Sequence, residues 1–158
     1  MKRLRRTRRG GFSLLEVVIV VAIIAILAAI GIPRMSRGSK GAGDSALSGD
    51  LAVLRNAIDL YAAEHGGTFP TAANITNQLT QYTDVLGTTV SPTKTTTCIY
   101  GPYLRSVPPL PVGTKKGQNG ISDIDGAAVG WLYTESSGTI KANTTTEDDD
   151  AGKLYNTY

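Results

Sequence analysis

The sequence predicts an α+β protein: one long N-terminal helix whose C-terminal half packs on a small antiparallel β-sheet. Three observations predict it. An apolar run extends from Val17 to Ile32; a second stretch from Leu47 to Tyr61 repeats its apolar residues every three or four positions; and strand signals fill Ala127 to Thr144. At 158 residues there is room for one modest domain and an appendage.

The first element is a helix long enough to span a bilayer. From Val17 to Ile32 no side chain is polar, and 11 of the 16 residues are Val, Ile or Leu. Counted from Phe12 to Ile32 at about 1.5 Å per residue, the helix reaches roughly 31 Å, the thickness of the hydrocarbon layer. Glu16 interrupts this picture. An acid near the end of a span costs less than the ~3 kcal/mol it costs at the centre, and the aliphatic residues offset it at about 0.3 to 0.6 kcal/mol each, so insertion wins. A carboxylate in that position still asks for a function. Six bases (Lys2, Arg3, Arg5, Arg6, Arg8, Arg9) precede the run and three (Arg34, Arg37, Lys40) follow it closely, which places the N-terminus in the cytoplasm and the remainder outside it. Two ordinary readings compete with an anchor. Ala29-Ile30-Gly31 matches a small-x-small secretory cleavage site, although the apolar core is long for that role and Pro33 follows closely. Arg8-Arg9 invites a twin-arginine export signal, with Phe12 one place too far along.

Net charge excludes one class of partner. The chain carries +3, but beyond residue 11 ten bases face thirteen acids, so the positive charge belongs to the leader. No basic stripe is left to grip a nucleic acid, and no nucleic-acid partner is expected. Cys98 and His65 are the only residues of their types, which rules out an intramolecular disulfide or a cysteine-based zinc cluster. No nucleophile elbow, P-loop or dinucleotide fingerprint is present, and the chain is expected not to be an enzyme.

Pro33 removes a backbone donor beside Gly31, so a kink or local melting of the helix is expected there. Gly38, Gly41 and Gly43 make the next stretch a poor isolated helix. Leu47, Leu51, Leu54, Ile58 and Tyr61 then place one apolar stripe along a helix, capped near Asp44 or Ser48 and stopped by Gly66-Gly67, with His65 in its last turn. Ile75, Leu79 and Tyr82 fit a short helix started by Asn74, and residues 88–97 (TTVSPTKTTT) read as an exposed loop. Residues 127–134 and 139–144 form an antiparallel hairpin about the turn Glu135 to Gly138. Trp131 and Tyr133 share a face that covers the helix stripe; a carbohydrate platform is the rival use of such aromatics.

Gly11, Phe12, Ser13, Leu14, Leu15 and Glu16, followed by the apolar helix and Pro33, resemble the processing site of type IV pilins and type II secretion pseudopilins, which carry a class III prepilin leader. The resemblance implies that a membrane prepilin peptidase cuts after Gly11 and that the new N-terminal Phe12 is N-methylated. It implies an assembly role for Glu16 together with Phe12: the Glu16 carboxylate pairs with the Phe12 ammonium of a neighbouring subunit and selects the register. At about 4 Å and an effective dielectric near 20 that attraction is roughly 4 kcal/mol, and an unpaired acid there is penalised. The segments 51–71 and Gly101-Pro102-Tyr103-Leu104 are similar to the major pseudopilins, although the Asp-Pro-Trp-Gly continuation of that family is absent. The lone Cys98 favours a pseudopilin over a pilin, whose head two distant cysteines commonly staple, and Glu16 favours a major over a minor subunit.

The organisation so implied is a cleaved leader at 1–11, a transmembrane and assembly helix at 12–33 with its kink at Pro33, a helix at 34–67 that leads to the head and packs on it, and a periplasmic head at 68–158. The resemblance implies a homopolymer in the bacterial inner membrane that works with other pseudopilins and an inner-membrane assembly platform in protein secretion. It also implies a calcium loop after the sheet, where Asp148, Asp149 and Asp150 stand. Two rival functions remain: a type IV pilin for adhesion, motility or DNA uptake, and an anchored periplasmic protein that never polymerises.

Overall fold

The computed structural model describes residues 11–149 and 151–158, with the side chains of residues 31–39 outside the description. The chain divides into two compact units, the first ending at Gly38 and the second running from Ser39 to Tyr158. The division falls inside the segment expected at 34–67.

Helix α1 is Leu14–Glu64. In the first unit its apolar side chains are exposed on every side, from Ile19 at 49% to Leu14 at 83%. Among the described residues no helix is long and apolar enough to cross a membrane. The helix assignment passes through Pro33, and the kink expected there concerns a side chain outside the described ones.

In the second unit the expected stripe is the core. Leu47, Leu51, Leu54, Ile58 and Tyr61 are at most 1% exposed and join Trp131, Tyr133, Ile140 and Ala142 in one buried cluster. Trp131 and Tyr133 are therefore core residues and not a sugar platform; the Trp131 indole N–H donates to the Pro108 carbonyl at 2.8 Å and the Tyr133 hydroxyl to the Pro70 carbonyl at 2.9 Å. No new helix starts at Asp44 or Ser48, because α1 is already under way. Propensity alone disfavours the glycines there, but it is a weak prior. Gly43 has a packing reason: an added Cβ would stand 3.1 Å from Val112. The helix does stop where expected. Gly66 takes φ 66°, and the Gly67 N–H donates to the Ala62 carbonyl at 2.7 Å, the six-to-one bond of a Schellman cap.

Helix α2 is Ile75–Thr80, with Asn74 at its N-cap and Ile75 and Leu79 buried. It is shorter than the spacing suggests, since Tyr82 belongs to strand β1, Tyr82–Thr83. That strand pairs antiparallel with β2, Val90–Ser91, so part of the expected loop at 88–97 is ordered by cross-strand bonds. The main sheet contains β3 (Gly120–Ser122), β4 (Val129–Thr134) and β5 (Thr139–Ala142). The hairpin β4–β5 is antiparallel, closing with Thr134 opposite Thr139. The third strand corrects the expectation of a purely antiparallel sheet: β3 pairs parallel to β4. A parallel return commonly needs a dozen or more residues. Here the strand is three residues long, so the chain has only about 10 Å to retrace, and residues 123–128 suffice.

Candidate functional site

Local chemistry at the start of α1 decides what Glu16 does in a single chain. Gly11, Phe12 and Ser13 precede the helix in non-helical backbone and are exposed, Phe12 to 85%. The Gly11–Phe12 bond is therefore presented outside the helix. The first helical bond runs from the Val17 N–H to the Ser13 carbonyl at 3.2 Å, which makes Ser13 the N-cap. Three residues on, Glu16 turns back and its Oε2 accepts the Ser13 N–H at 3.2 Å. This is the glutamate half of a capping box, with a carboxylate placed at the positive end of the helix dipole. The signal was present in the sequence as Ser13-x-x-Glu16; reading the acid only as an assembly residue overlooks it. Beyond this cap, the segment from Leu14 to Ile30 offers apolar surface on all sides and no polar group to hold a small molecule.

The C-terminal acidic turn is built differently. Glu147 accepts from the Thr114 N–H at 3.0 Å, the Thr114 hydroxyl at 2.8 Å and the Thr145 N–H at 3.1 Å. These donors, the Thr114 N–H first, hold its carboxyl at about 2. Asp149 Oδ1 accepts the N–H groups of Ala151 and Lys153, each at 2.8 Å, while Oδ2 accepts the Tyr158 hydroxyl. The Tyr158 bond is the main cause that keeps the Asp149 carboxyl below its usual range. Calcium needs several oxygens with free lone pairs converging on one point. Asp149 has spent its oxygens on its own turn, Asp148 is exposed, and Asp150 lies outside the described residues. Among the described residues no three acidic, histidine or cysteine side chains gather where an ion would sit. The arrangement of Asp148 and Asp149 does not fit the calcium loop expected from the resemblance.

His65 and Cys98 serve the fold. The His65 ring stacks on Tyr61 with centroids 3.9 Å apart; Nδ1 lies 2.8 Å from the Tyr61 carbonyl, and Nε2 lies 3.1 Å from Thr83 Oγ1 and 3.0 Å from the Asp84 carbonyl. The imidazole thus ties the end of α1 to β1. Cys98 is buried, with Sγ 3.7 Å from the Thr89 carbonyl. A further polar cluster joins Lys115, Asp125 and Asn143. Lys115 Nζ meets Asp125 Oδ1 and the Gly126 carbonyl, and the Asn143 amide donates to Asp125 Oδ1 at 2.8 Å and to the Val129 carbonyl at 2.7 Å. It fastens the loop before β3 to the end of β5, where Asn143 is buried.

No curated protein and no solved structure matches the chain. Residues 6–32 match the family model of the Prokaryotic N-terminal methylation motif, a stretch that contains Gly11, Phe12 and Glu16. A class III prepilin leader of this kind implies processing by a prepilin peptidase and assembly into a pilus-like polymer. The match supports a type IV pilin-like protein.

Proposed function

We propose that this chain is the major structural subunit, a pseudopilin, of a type II secretion pseudopilus. It is cut after Gly11, methylated on Phe12, anchored in the inner membrane by its apolar helix with the head in the periplasm, and polymerised through that helix to promote export across the outer membrane. The observation that carries the reading is the N-terminal methylation motif at 6–32 with Gly11-Phe12 and Glu16 in their places. Physical support comes from α1, whose residues 14–30 have their apolar side chains uncovered by the other described residues and call for lipid or other copies around them. Among the described residues Glu16 accepts from the Ser13 N–H; the ammonium that cleavage creates on Phe12 of an adjacent copy supplies the countercharge. The subunit is structural and does no catalysis, and calcium has no part in the proposal.

An intact mass of the mature chain tests the processing. A 147-residue product beginning with methylated Phe12 is expected from the 158-residue precursor; a 127-residue product beginning at Ile32 means ordinary secretion. Replacing Glu16 with Ala is expected to leave cleavage and insertion intact and to abolish filaments. Normal filaments from Glu16→Ala refute the assembly role. The same motif serves type IV pilins, so deletion of the gene separates the two uses: lost exoprotein release supports the pseudopilus, and lost motility or DNA uptake with normal release supports a pilus.

A further inference from the structure

Two acidic segments stand in the second unit: Asp123 and Asp125 in the loop between β3 and β4, and Glu147 to Asp149 after β5. Carboxylates set close together repel one another, and a bound cation is one way to relieve them. A single turn meets both segments. Residues 113–118 close on themselves and on the chain before them: the Lys116 N–H donates to the Gly113 carbonyl at 3.2 Å, the Gln118 N–H to the Lys115 carbonyl at 3.0 Å, and the Gly117 N–H to the Leu110 carbonyl at 2.8 Å. Gly113 takes φ 73°, and an added Cβ there would fall 2.9 Å from the Thr144 methyl carbon, so the turn is seated against the residues just past β5.

From this turn two neighbouring residues reach to the two acidic segments. Thr114 gives its N–H and its hydroxyl to Glu147 at 3.0 and 2.8 Å. Lys115 sends its ammonium to Asp125 Oδ1 and to the Gly126 carbonyl, the latter at 2.6 Å. A carboxylate oxygen and a main-chain carbonyl converging on one positive centre are the donor types that a calcium ion collects. Here that centre is an ammonium on the chain itself. Asn143, buried at the end of β5, closes the arrangement by donating to Asp125 Oδ1 at 2.8 Å and to the Val129 carbonyl at 2.7 Å. The Lys115 bond is the first cause that holds the Asp125 carboxyl below its usual range, so that carboxyl is ionised at neutral pH. We propose that the turn at 113–118 does the work of a structural cation: Thr114 and Lys115 tie the acidic segments 123–125 and 147–149 together, and the head needs no divalent ion because Lys115 brings the positive charge. The turn lies in the stretch after Gly101 to Leu104 where the Asp-Pro-Trp-Gly continuation of the major pseudopilins is absent, so the residues that fill the role are this chain's own. The contact lies within the head and is the same in a pseudopilus or a pilus.

Thermal melting of the full-length chain in detergent, with calcium and with a chelator, tests this. The native chain is expected to melt at the same temperature in both; a higher temperature in millimolar calcium overturns the proposal. Lys115→Met keeps the aliphatic stem and removes the charge. The Lys115 side chain is 24% exposed and that of Asp125 64%, so water screens the pair, and a fall of about 2 to 5 °C is expected. An unchanged transition in Lys115→Met overturns the role of the ammonium. Lys115→Asp sets a second carboxylate opposite Asp125, and in chelator it is expected to melt on the order of 10 °C below the native chain. Millimolar calcium is expected to return most of that loss and to leave Lys115→Met unmoved, because only the Asp variant offers a cation two carboxylates beside the Gly126 carbonyl. A Lys115→Asp chain that calcium does not raise counts against a cation position at this turn. Melting is read without filaments, so failure here leaves the polymer standing, and a chain that never polymerises leaves this result standing.

Discussion

The two units use the same aliphatic residues toward opposite ends. In the first, Val17, Ile23, Ile24 and Leu27 stand 50 to 63% exposed around the whole circumference of α1; in the second, Leu47, Leu51, Leu54 and Ile58 on the same helix are at most 1% exposed. Residues 17–32 carry no polar side chain, whereas residues 47–61 interleave their stripe with Ser48, Asp50, Arg55, Asn56 and Asp59. A helix apolar all round has no direction in which to fold onto its own chain, whereas a stripe fixes one face against a sheet. Among the described residues the first unit leaves its aliphatic side chains uncovered, and the second buries its own.

The sharpest way to break that distinction is to remove a side chain from each. Trp131→Ala empties the centre of the second unit and deletes the bond to Pro108. A loss of about 3 to 5 kcal/mol is expected, a fall in melting temperature on the order of 10 to 20 °C by calorimetry of the detergent-solubilised chain. Ile23→Ala, 52% exposed in the first unit, is expected to leave that transition where it was; an equal fall in both variants would mean that the units do not stabilise separately. Gly87→Ala is next in size. Its φ of 68° strains any Cβ, and Tyr61 must move, so about 1 to 3 kcal/mol is expected; an unchanged melting temperature would show that the turn between β1 and β2 is not rigid.

The smallest effect belongs to Glu147. Its carboxyl is held at about 2 against an ordinary 4.5, chiefly by the Thr114 N–H. A depressed carboxyl stabilises the fold fully above about 4.5 and loses that contribution as pH falls toward 2. Glu147→Gln is expected to cost about 1 to 2 kcal/mol at pH 7, and the gap to the parent chain closes between those two values in denaturation series. A gap that stays constant down to pH 2 would place its origin in packing.

What was legible in the sequence follows the length over which a pattern persists. The stripe from Leu47 to Tyr61 runs for four turns and the hairpin of β4 and β5 alternates over ten residues, so both emerge from periodicity alone. Strands β1 and β2 have two residues each and β3 has three, too short for any period to show, and each owes its existence to a partner elsewhere in the chain. Long-range polar pairs were invisible for the same reason: Glu147 finds Thr114 across 33 residues. The resemblance put an ion at Asp148, Asp149 and Asp150, and spacing does not reveal that Asp149 folds onto Ala151, Lys153 and Tyr158. At the N-terminus the fixed spacing of Gly11, Phe12 and Glu16 was readable, and the Ser13–Glu16 cap equally so.

The parallel pairing of β3 has a last consequence. A rim of three residues offers another molecule too few main-chain groups to extend the ladder, and at the far side β5 runs against the C-terminal turn at Tyr155–Thr157. Heads crowded together at high density are thus guarded against fusing into cross-β aggregates.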